Sequence, residues 1–173
     1  GAHRHAIIVI ARVLRVLKDA RADDRERHAV AHVDPHVVSI LELILDATHN
    51  PEGAAALKQN LSSLTEQPII IAGTLGEDRA KSLMAVVSQY ARELYLVAPN
   101  QDRATPTAFL KSCLDCDAIE SDLSTLFPKP GCCAVGKSGD TILLTGSIYL
   151  IGEAMARIQG ATSDEGSRLQ DKV

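Results

Sequence analysis

The sequence has little of several features that mark particular classes of protein. Aromatic side chains make up only 3% of the 173 residues, and there is no tryptophan, so a ligand site built on aromatic stacking is not expected. The 22 acidic side chains outnumber the 18 basic ones and give a formal net charge of -4. Because no basic stripe is present either, the sequence argues against binding to nucleic acid.

Long hydrophobic runs are also missing. The longest apolar stretch, from Ala6 to Leu17, contains Arg12 and Arg15, and it is too short to span a bilayer, so we expect no membrane association. No signal-peptide cleavage pattern follows it. With four cysteines, a disulfide scaffold is not expected, and a reducing, cytoplasmic location is predicted. Because the chain starts with Gly1 rather than Met, we expect an expression product or an excerpt rather than a native start.

The 46% of hydrophobic residues are enough for one domain with a substantial core. Apolar runs predict strands ending near residue 46 and over 68–73, 93–98 and 140–147. Helical spacing predicts helices over 5–20, 52–64, 76–90, 105–114, 121–127 and 148–158. We therefore predict an α/β fold, a Rossmann-like three-layer sandwich with a mostly parallel sheet and helices on both faces. The predicted division is a helical segment over 1–40, one domain over 41–160 and a polar tail over 161–173.

Two of the predicted strands end in polar groups that precede a helix. The first is followed by Asp46, His49 and Asn50, and Pro51 suits the first position of the next helix. The last strand runs through Thr145 into Gly146 and Ser147. In an open α/β sheet such strand ends lie at the edge where ligands bind, beside helix N-termini that favour anions.

Two signatures resemble the C-terminal domain of the folylpolyglutamate synthase/dihydrofolate synthase family, within the Mur ligase superfamily. Residues 45–54 read Leu-Asp-Ala-Thr-His-Asn-Pro-Glu-Gly-Ala and are similar to the family's Leu-Asp-Gly-Ala-His-Asn-Pro-x-Gly-Ala. Residues 145–153 read Thr-Gly-Ser-Ile-Tyr-Leu-Ile-Gly-Glu and are similar to its Thr-Gly-Ser-Leu-Tyr-Leu-Val-Gly-Glu. Ala47 and Thr48 differ from the family pattern, which implies a more crowded turn.

The resemblance implies an ATP-dependent carboxylate-amine ligase of folate biosynthesis and one-carbon metabolism. Such an enzyme adds L-glutamate to a pteroate or folate substrate through an acyl phosphate. It implies that Asp46 contacts the nucleotide ribose, and that His49 and Ser147 contact glutamate, with His49 also near the phosphates. Asn50 would orient a ligand or cap the helix. ATP and Mg²⁺ would be held mainly by an N-terminal ATPase domain that this chain lacks, so we expect the chain alone to be inactive.

Other interpretations of the same residues remain open. Asp46 to Asn50 could be only a capped turn, and Ser147 only a helix cap. The chain could also be a non-catalytic module that keeps the fold and binds a nucleotide or another ligand.

Three further patterns are interpreted as coincidental. Residues 131–138 match the phosphate-loop pattern and include Lys137, but prolines precede them and a strand follows, whereas a working loop joins a strand to a helix. His28, His32 and His36 have helical spacing that could bind a metal, but Pro35 disfavours a helix there. The four cysteines, including the Cys113–Cys116 pair, are interpreted as small hydrophobic residues.

Overall fold

The computed structural model describes residues 7–10, 15–16 and 41–160. Within those residues the chain forms eight strands and five helices. The strands are β1 (Ile7–Ile10), β2 (Arg15–Val16), β3 (Glu42–Asp46), β4 (Ile69–Ala72), β5 (Glu93–Leu96), β6 (Ile119–Glu120), β7 (Cys132–Cys133) and β8 (Thr141–Thr145). The helices are α1 (Pro51–Ser62), α2 (Glu77–Tyr90), α3 (Thr107–Ser112), α4 (Leu123–Leu126) and α5 (Ile148–Gln159).

Six strands form one sheet in the order β1-β3-β8-β4-β5-β6. The five strands from β3 to β6 in this order are parallel to their neighbours, and β1 pairs antiparallel with β3 at one edge. The last strand along the chain, β8, therefore lies between β3 and β4. The predicted mostly parallel α/β sheet is confirmed.

Helices cover both faces of this sheet. Side chains of β4 alternate between two core clusters, so that Ile69 and Ile71 pack with α4 and α5 while Ile70 packs with α1, α2 and α3. All three isoleucines have 0% exposure, as expected for a central strand of a parallel sheet. The predicted three-layer sandwich is confirmed.

At the amino-terminal edge of the sheet, an ion pair joins the segments that precede two of its strands. The guanidinium of Arg92, just before β5, donates to both carboxylate oxygens of Asp140, just before β8, over 2.6 and 3.0 Å. The Lys137 N–H donates to the same carboxylate at 2.7 Å. These hydrogen bonds, chiefly those from Arg92, lower the pKa of Asp140 below its usual 3.8.

The helix predicted over 5–20 is wrong at Ile7–Ile10 and Arg15–Val16, which are strands. Residues 7–10 are all β-branched, a composition that favours strand over helix, and they pair with β3. The histidines at helical spacing, His28, His32 and His36, which are interpreted as coincidental, lie outside the described residues, as does the predicted tail over 161–173. The division into 1–40, 41–160 and 161–173 stays a prediction.

Two further expectations from the sequence, a helix cap at Thr105 before Pro106 and a helix end at Gly136, are corrected. Thr105 is not the cap of α3, because Pro106 occupies that position and the buried Thr105 hydroxyl instead accepts a hydrogen bond from Thr74 at 2.8 Å. Gly136 ends no helix. It lies between β7 and β8 with a φ of 85°, and the segment that resembles a phosphate loop leads from one strand into another, as the sequence context indicates.

Candidate functional site

Three strand ends meet at the carboxyl edge of the sheet. Asp46 at the end of β3 is in register with Thr145 at the end of β8, and Thr145 is in register with Ala72 at the end of β4. The segments that follow these strands therefore lie side by side, as expected for neighbouring parallel strands. The two polar turns singled out in the sequence are brought together there.

The Asp46 side chain ties two of these strand ends together. Its Oδ1 accepts the Thr48 N–H at 2.7 Å and the Thr145 hydroxyl at 3.2 Å. Asp46 is 5% exposed, so only a small part of its surface faces solvent. The carboxylate therefore fixes the turn after β3 and joins it to β8.

Gly53 in α1 lies against the turn that contains Thr48. Thr48 is buried, and a Cβ added at Gly53 would lie 3.3 Å from the Thr48 side chain and 3.1 Å from Asn50 Oδ1. The glycine therefore leaves room for the larger side chain. Because the family pattern has the same glycine, Gly53 makes room for the turn in general and is not a specific compensation for Thr48.

His49 is exposed, and one nitrogen of its ring contacts the backbone. Its Nδ1 lies 2.8 Å from the carbonyl oxygen of Ala47. Because a carbonyl oxygen can only accept, Nδ1 carries the hydrogen in this contact. In the neutral ring, Nε2 is then the nitrogen that can accept a proton or a hydrogen bond.

Asn50 and Ser147 are the N-caps of two helices at this edge. Asn50 Oδ1 accepts the Gly53 N–H at 2.8 Å at the start of α1. Ser147 Oγ accepts the Tyr149 N–H at 3.2 Å at the start of α5. The predicted capping role of Asn50 is confirmed, and both helices direct their N-termini, where unpaired N–H groups favour anions, to the same edge.

A pocket of about 160 Å³ lies at this edge. It is smaller than the roughly 300–1,000 Å³ of sites for drug-sized ligands. His49 and Ser147, predicted together as site residues, both line it, whereas Asp46 and Asn50 are not among its lining residues. The complete lining is His49, Leu75, Arg79, Gly146, Ser147, Ile148 and Tyr149.

Arg79 is the lining residue with functional chemistry that sequence reasoning missed. It lies in the first turn of α2, where a positive charge opposes the helix dipole. This unfavourable placement is the feature of the sequence that could have pointed to a functional role for Arg79. The turn before α2 is held in place because the Gly76 N–H donates to the Arg103 carbonyl at 3.1 Å and the Thr105 N–H donates to the Thr74 carbonyl at 2.9 Å.

Other candidate chemistry does not assemble at this edge. Among the described residues, no group of three His, Cys, Asp or Glu side chains could hold a metal ion. The four cysteines are free thiols, and burial raises the pKa of Cys133 to about 11.

No helix of the described residues has the length and apolar character needed to cross a bilayer.

Comparison with solved structures shows where this fold occurs. The chain is similar to a bifunctional folylpolyglutamate synthase/dihydrofolate synthase from Yersinia pestis, complexed with AMPPNP and a Mn ion, with 24% identity and a TM-score of 0.54. The alignment covers 66% of this chain and 28% of that one. A bifunctional enzyme of the same name with Mn, AMPPNP and L-glutamate bound gives 22% identity, the same coverages and a TM-score of 0.54.

A third similar structure is a Mycobacterium tuberculosis folylpolyglutamate synthase complexed with ADP, with 19% identity and a TM-score of 0.52. The alignment covers 66% of this chain and 29% of that one. At these identities the likeness establishes the fold. The chain spans less than a third of the length of these three proteins.

The family comparison is made on sequence. No curated protein sequence matches the chain. The sequence model described as "Mur ligase, glutamate ligase domain" matches residues 36–148, which is more than half of the chain and contains all three strand ends of the site. The chain therefore belongs to the glutamate ligase domain family of the Mur ligases.

Proposed function

We propose that this chain is the C-terminal domain of an ATP-dependent ligase that adds L-glutamate to (dihydro)pteroate or folate through an acyl phosphate. The observation that supports this most is the meeting of His49 and Ser147, from two different strand ends, in one pocket. The pocket's volume of about 160 Å³ suits a small amino acid better than a pterin with its attached benzoate.

His49 is the proposed catalytic residue. An amine attacks an acyl phosphate only through its lone pair, so the ammonium group of the incoming amino acid must lose a proton. The contact between Nδ1 and the Ala47 carbonyl at 2.8 Å leaves Nε2 as the proton acceptor of the neutral ring. His49 thereby orients the amino group and accepts its proton.

Ser147 and the start of α5 are the proposed carboxylate-binding elements. Ser147 lines the pocket, and Ile148 is the first residue of the helix, while the Tyr149 N–H is bonded to Ser147 Oγ. Unpaired N–H groups of a first helical turn and a hydroxyl donor together bind a carboxylate favourably. A carboxylate of glutamate would therefore be held beside the amino group that His49 contacts.

Asp46, His49 and Asn50 are the proposed nucleotide contacts. ATP supplies the phosphoryl group that activates the substrate carboxylate, and Mg²⁺ gathers the phosphate charge. Asp46 would reach a ribose hydroxyl through its small exposed part, while its Oδ1 keeps the turn in place. As the family resemblance implies, we assign the magnesium ligands and the phosphate loop to an N-terminal ATPase domain.

The test uses the full-length protein, or this chain reconstituted with an ATPase domain, and measures glutamate-dependent release of ADP. His49→Ala and Ser147→Ala are each expected to raise the KM for L-glutamate about tenfold, since each removes a polar contact to a charged ligand. His49→Ala should also lower kcat. The matched control is Lys58→Ala, on an exposed position of α1 away from the pocket, which should leave both constants unchanged.

Two results would overturn this assignment. One is a reconstituted protein that binds its ligands but never forms an amide, which would favour a non-catalytic module. The other is a His49→Ala protein with the kinetic constants of the unmodified protein, which would remove His49 from the site.

A further inference from the structure

Arg79 brings a positive charge to the pocket that also contains His49 and Ser147. The residue belongs to the first turn of α2, and the next residue, Ala80, has 0% exposure. The backbone at the base of Arg79 is therefore anchored in the core while its own side chain is exposed. Such an arrangement presents a charged group from a fixed position.

The structure around Arg79 gives no local reason for its charge. No acidic side chain of the described part of the chain lies within 4.0 Å of its guanidinium. A cation in the first turn of a helix is also unfavourable, because it lies at the positive end of the helix dipole. The charge therefore opposes the stability of α2 and is instead directed at a pocket.

The charged groups of an acidic amino acid match the polar groups of this pocket in number. His49 Nε2 suits the amino group, and Ser147 with the N-terminus of α5 suits one carboxylate. An acidic amino acid carries a second carboxylate, and a guanidinium is the side chain best shaped to bind it. Leu75 and Tyr149 also line the pocket and can contact the methylene groups between the two carboxylates.

We infer that Arg79 binds the side-chain carboxylate of the incoming amino acid and selects dicarboxylic amino acids over neutral ones. This inference rests on the proposed function, since it assumes that the pocket holds the amino acid. It adds a residue and a basis for substrate selection. Replacing the side-chain carboxylate with an uncharged amide of the same shape should remove the contribution of Arg79, because the charge assistance of the hydrogen bonds is lost.

The test compares L-glutamate with L-glutamine, which differ only in that group. Binding of each to the ¹⁵N-labelled full chain is followed by the shifts of its backbone amide signals. We expect the unmodified chain to bind glutamate about tenfold more tightly than glutamine, as one charge-assisted contact provides. Arg79→Gln should weaken glutamate about tenfold, leave glutamine unchanged and so abolish the preference.

Lys81→Gln is the matched control, because it removes a positive charge two residues further along α2 at an exposed position that does not line the pocket. It should keep the preference for glutamate. Unshifted signals from the sheet core in each variant show that the fold is retained, so a loss of binding can be assigned to the site.

The outcomes separate this inference from the function on which it rests. If glutamate shifts the amides of His49 and Ser147 but Arg79→Gln leaves the preference unchanged, or weakens both amino acids equally, the role of Arg79 is wrong and the pocket assignment stands. If saturating glutamate shifts no amide that lines the pocket, the pocket does not bind the amino acid and both proposals are wrong.

Discussion

Gly146→Ala is expected to lower the free energy of unfolding by about 3 kcal/mol or more. Its φ of 107° lies in a region that costs an L-residue about 1–3 kcal/mol. A Cβ there would also lie 2.4 Å from the Gly73 carbonyl oxygen and 2.7 Å from a Leu83 methyl, and such overpacking costs a further 1–3 kcal/mol or so. Urea unfolding of the variant and the unmodified chain measures the difference.

Gly139→Ala separates the two causes. Gly139 has a φ of 89°, but no atom of the described residues lies within 4 Å of an added Cβ. Only the backbone conformation is then penalised, and we expect a loss of about 1 kcal/mol. Equal losses in the two variants would show that the close approach of Gly146 to Gly73 contributes nothing to stability.

Arg92→Ala is expected to lower the free energy of unfolding by about 2–3 kcal/mol near neutral pH. The variant leaves the Asp140 carboxylate, whose side chain is 3% exposed, without the two hydrogen bonds from Arg92. Removing one partner of a fully buried ion pair costs about 3–5 kcal/mol, but Arg92 is itself 36% exposed, so water reaching the site reduces the loss. Lys111→Ala, which breaks an exposed pair with Glu120, should cost less than about 0.5 kcal/mol.

The cost of Arg92→Ala should also depend on pH. The pKa of Asp140 is lower in the folded chain than its usual 3.8, so the unfolded state binds a proton first as the solution is acidified. The stabilisation is therefore complete above about pH 5 and is lost as the pH falls through 3.8 toward the folded pKa. Unfolding curves across this range should converge for the two proteins, and a constant difference would contradict the assigned role of the ion pair.

Local sequence rules predicted the parts of the fold that depend on neighbouring residues. Asn50 followed by Pro51 marks the start of α1, and a run of three isoleucines marks β4, because caps and buried strands are specified within a few residues. The same rules assigned a helix to residues 7–10. There the β-branched composition favours a strand, but the pairing with β3, more than 30 residues away, is encoded by no local pattern.

Local patterns in the sequence could predict only those parts of the site that lie within one segment of the chain. Asp46 and Thr145 are 99 residues apart and share a hydrogen bond, because β8 lies between β3 and β4 in the sheet. Strand order cannot be read from composition or spacing, so the meeting of His49 and Ser147 was predicted from the family resemblance. Arg79 lies on a third segment, and its place in the pocket beside Gly146 and Ser147 is seen only in the folded chain.

The antiparallel strand β1 has a consequence for the choice of a recombinant fragment. A fragment that begins at residue 41, where the domain was predicted to start, would lack residues 7–10 and turn β3 into an edge strand. An apolar edge with unpaired N–H and carbonyl groups can pair with the same edge of another molecule and so lead to aggregation. Residues 7–10 thus shield the strand that carries Asp46 from self-association, and a fragment that retains them is the better sample for binding measurements.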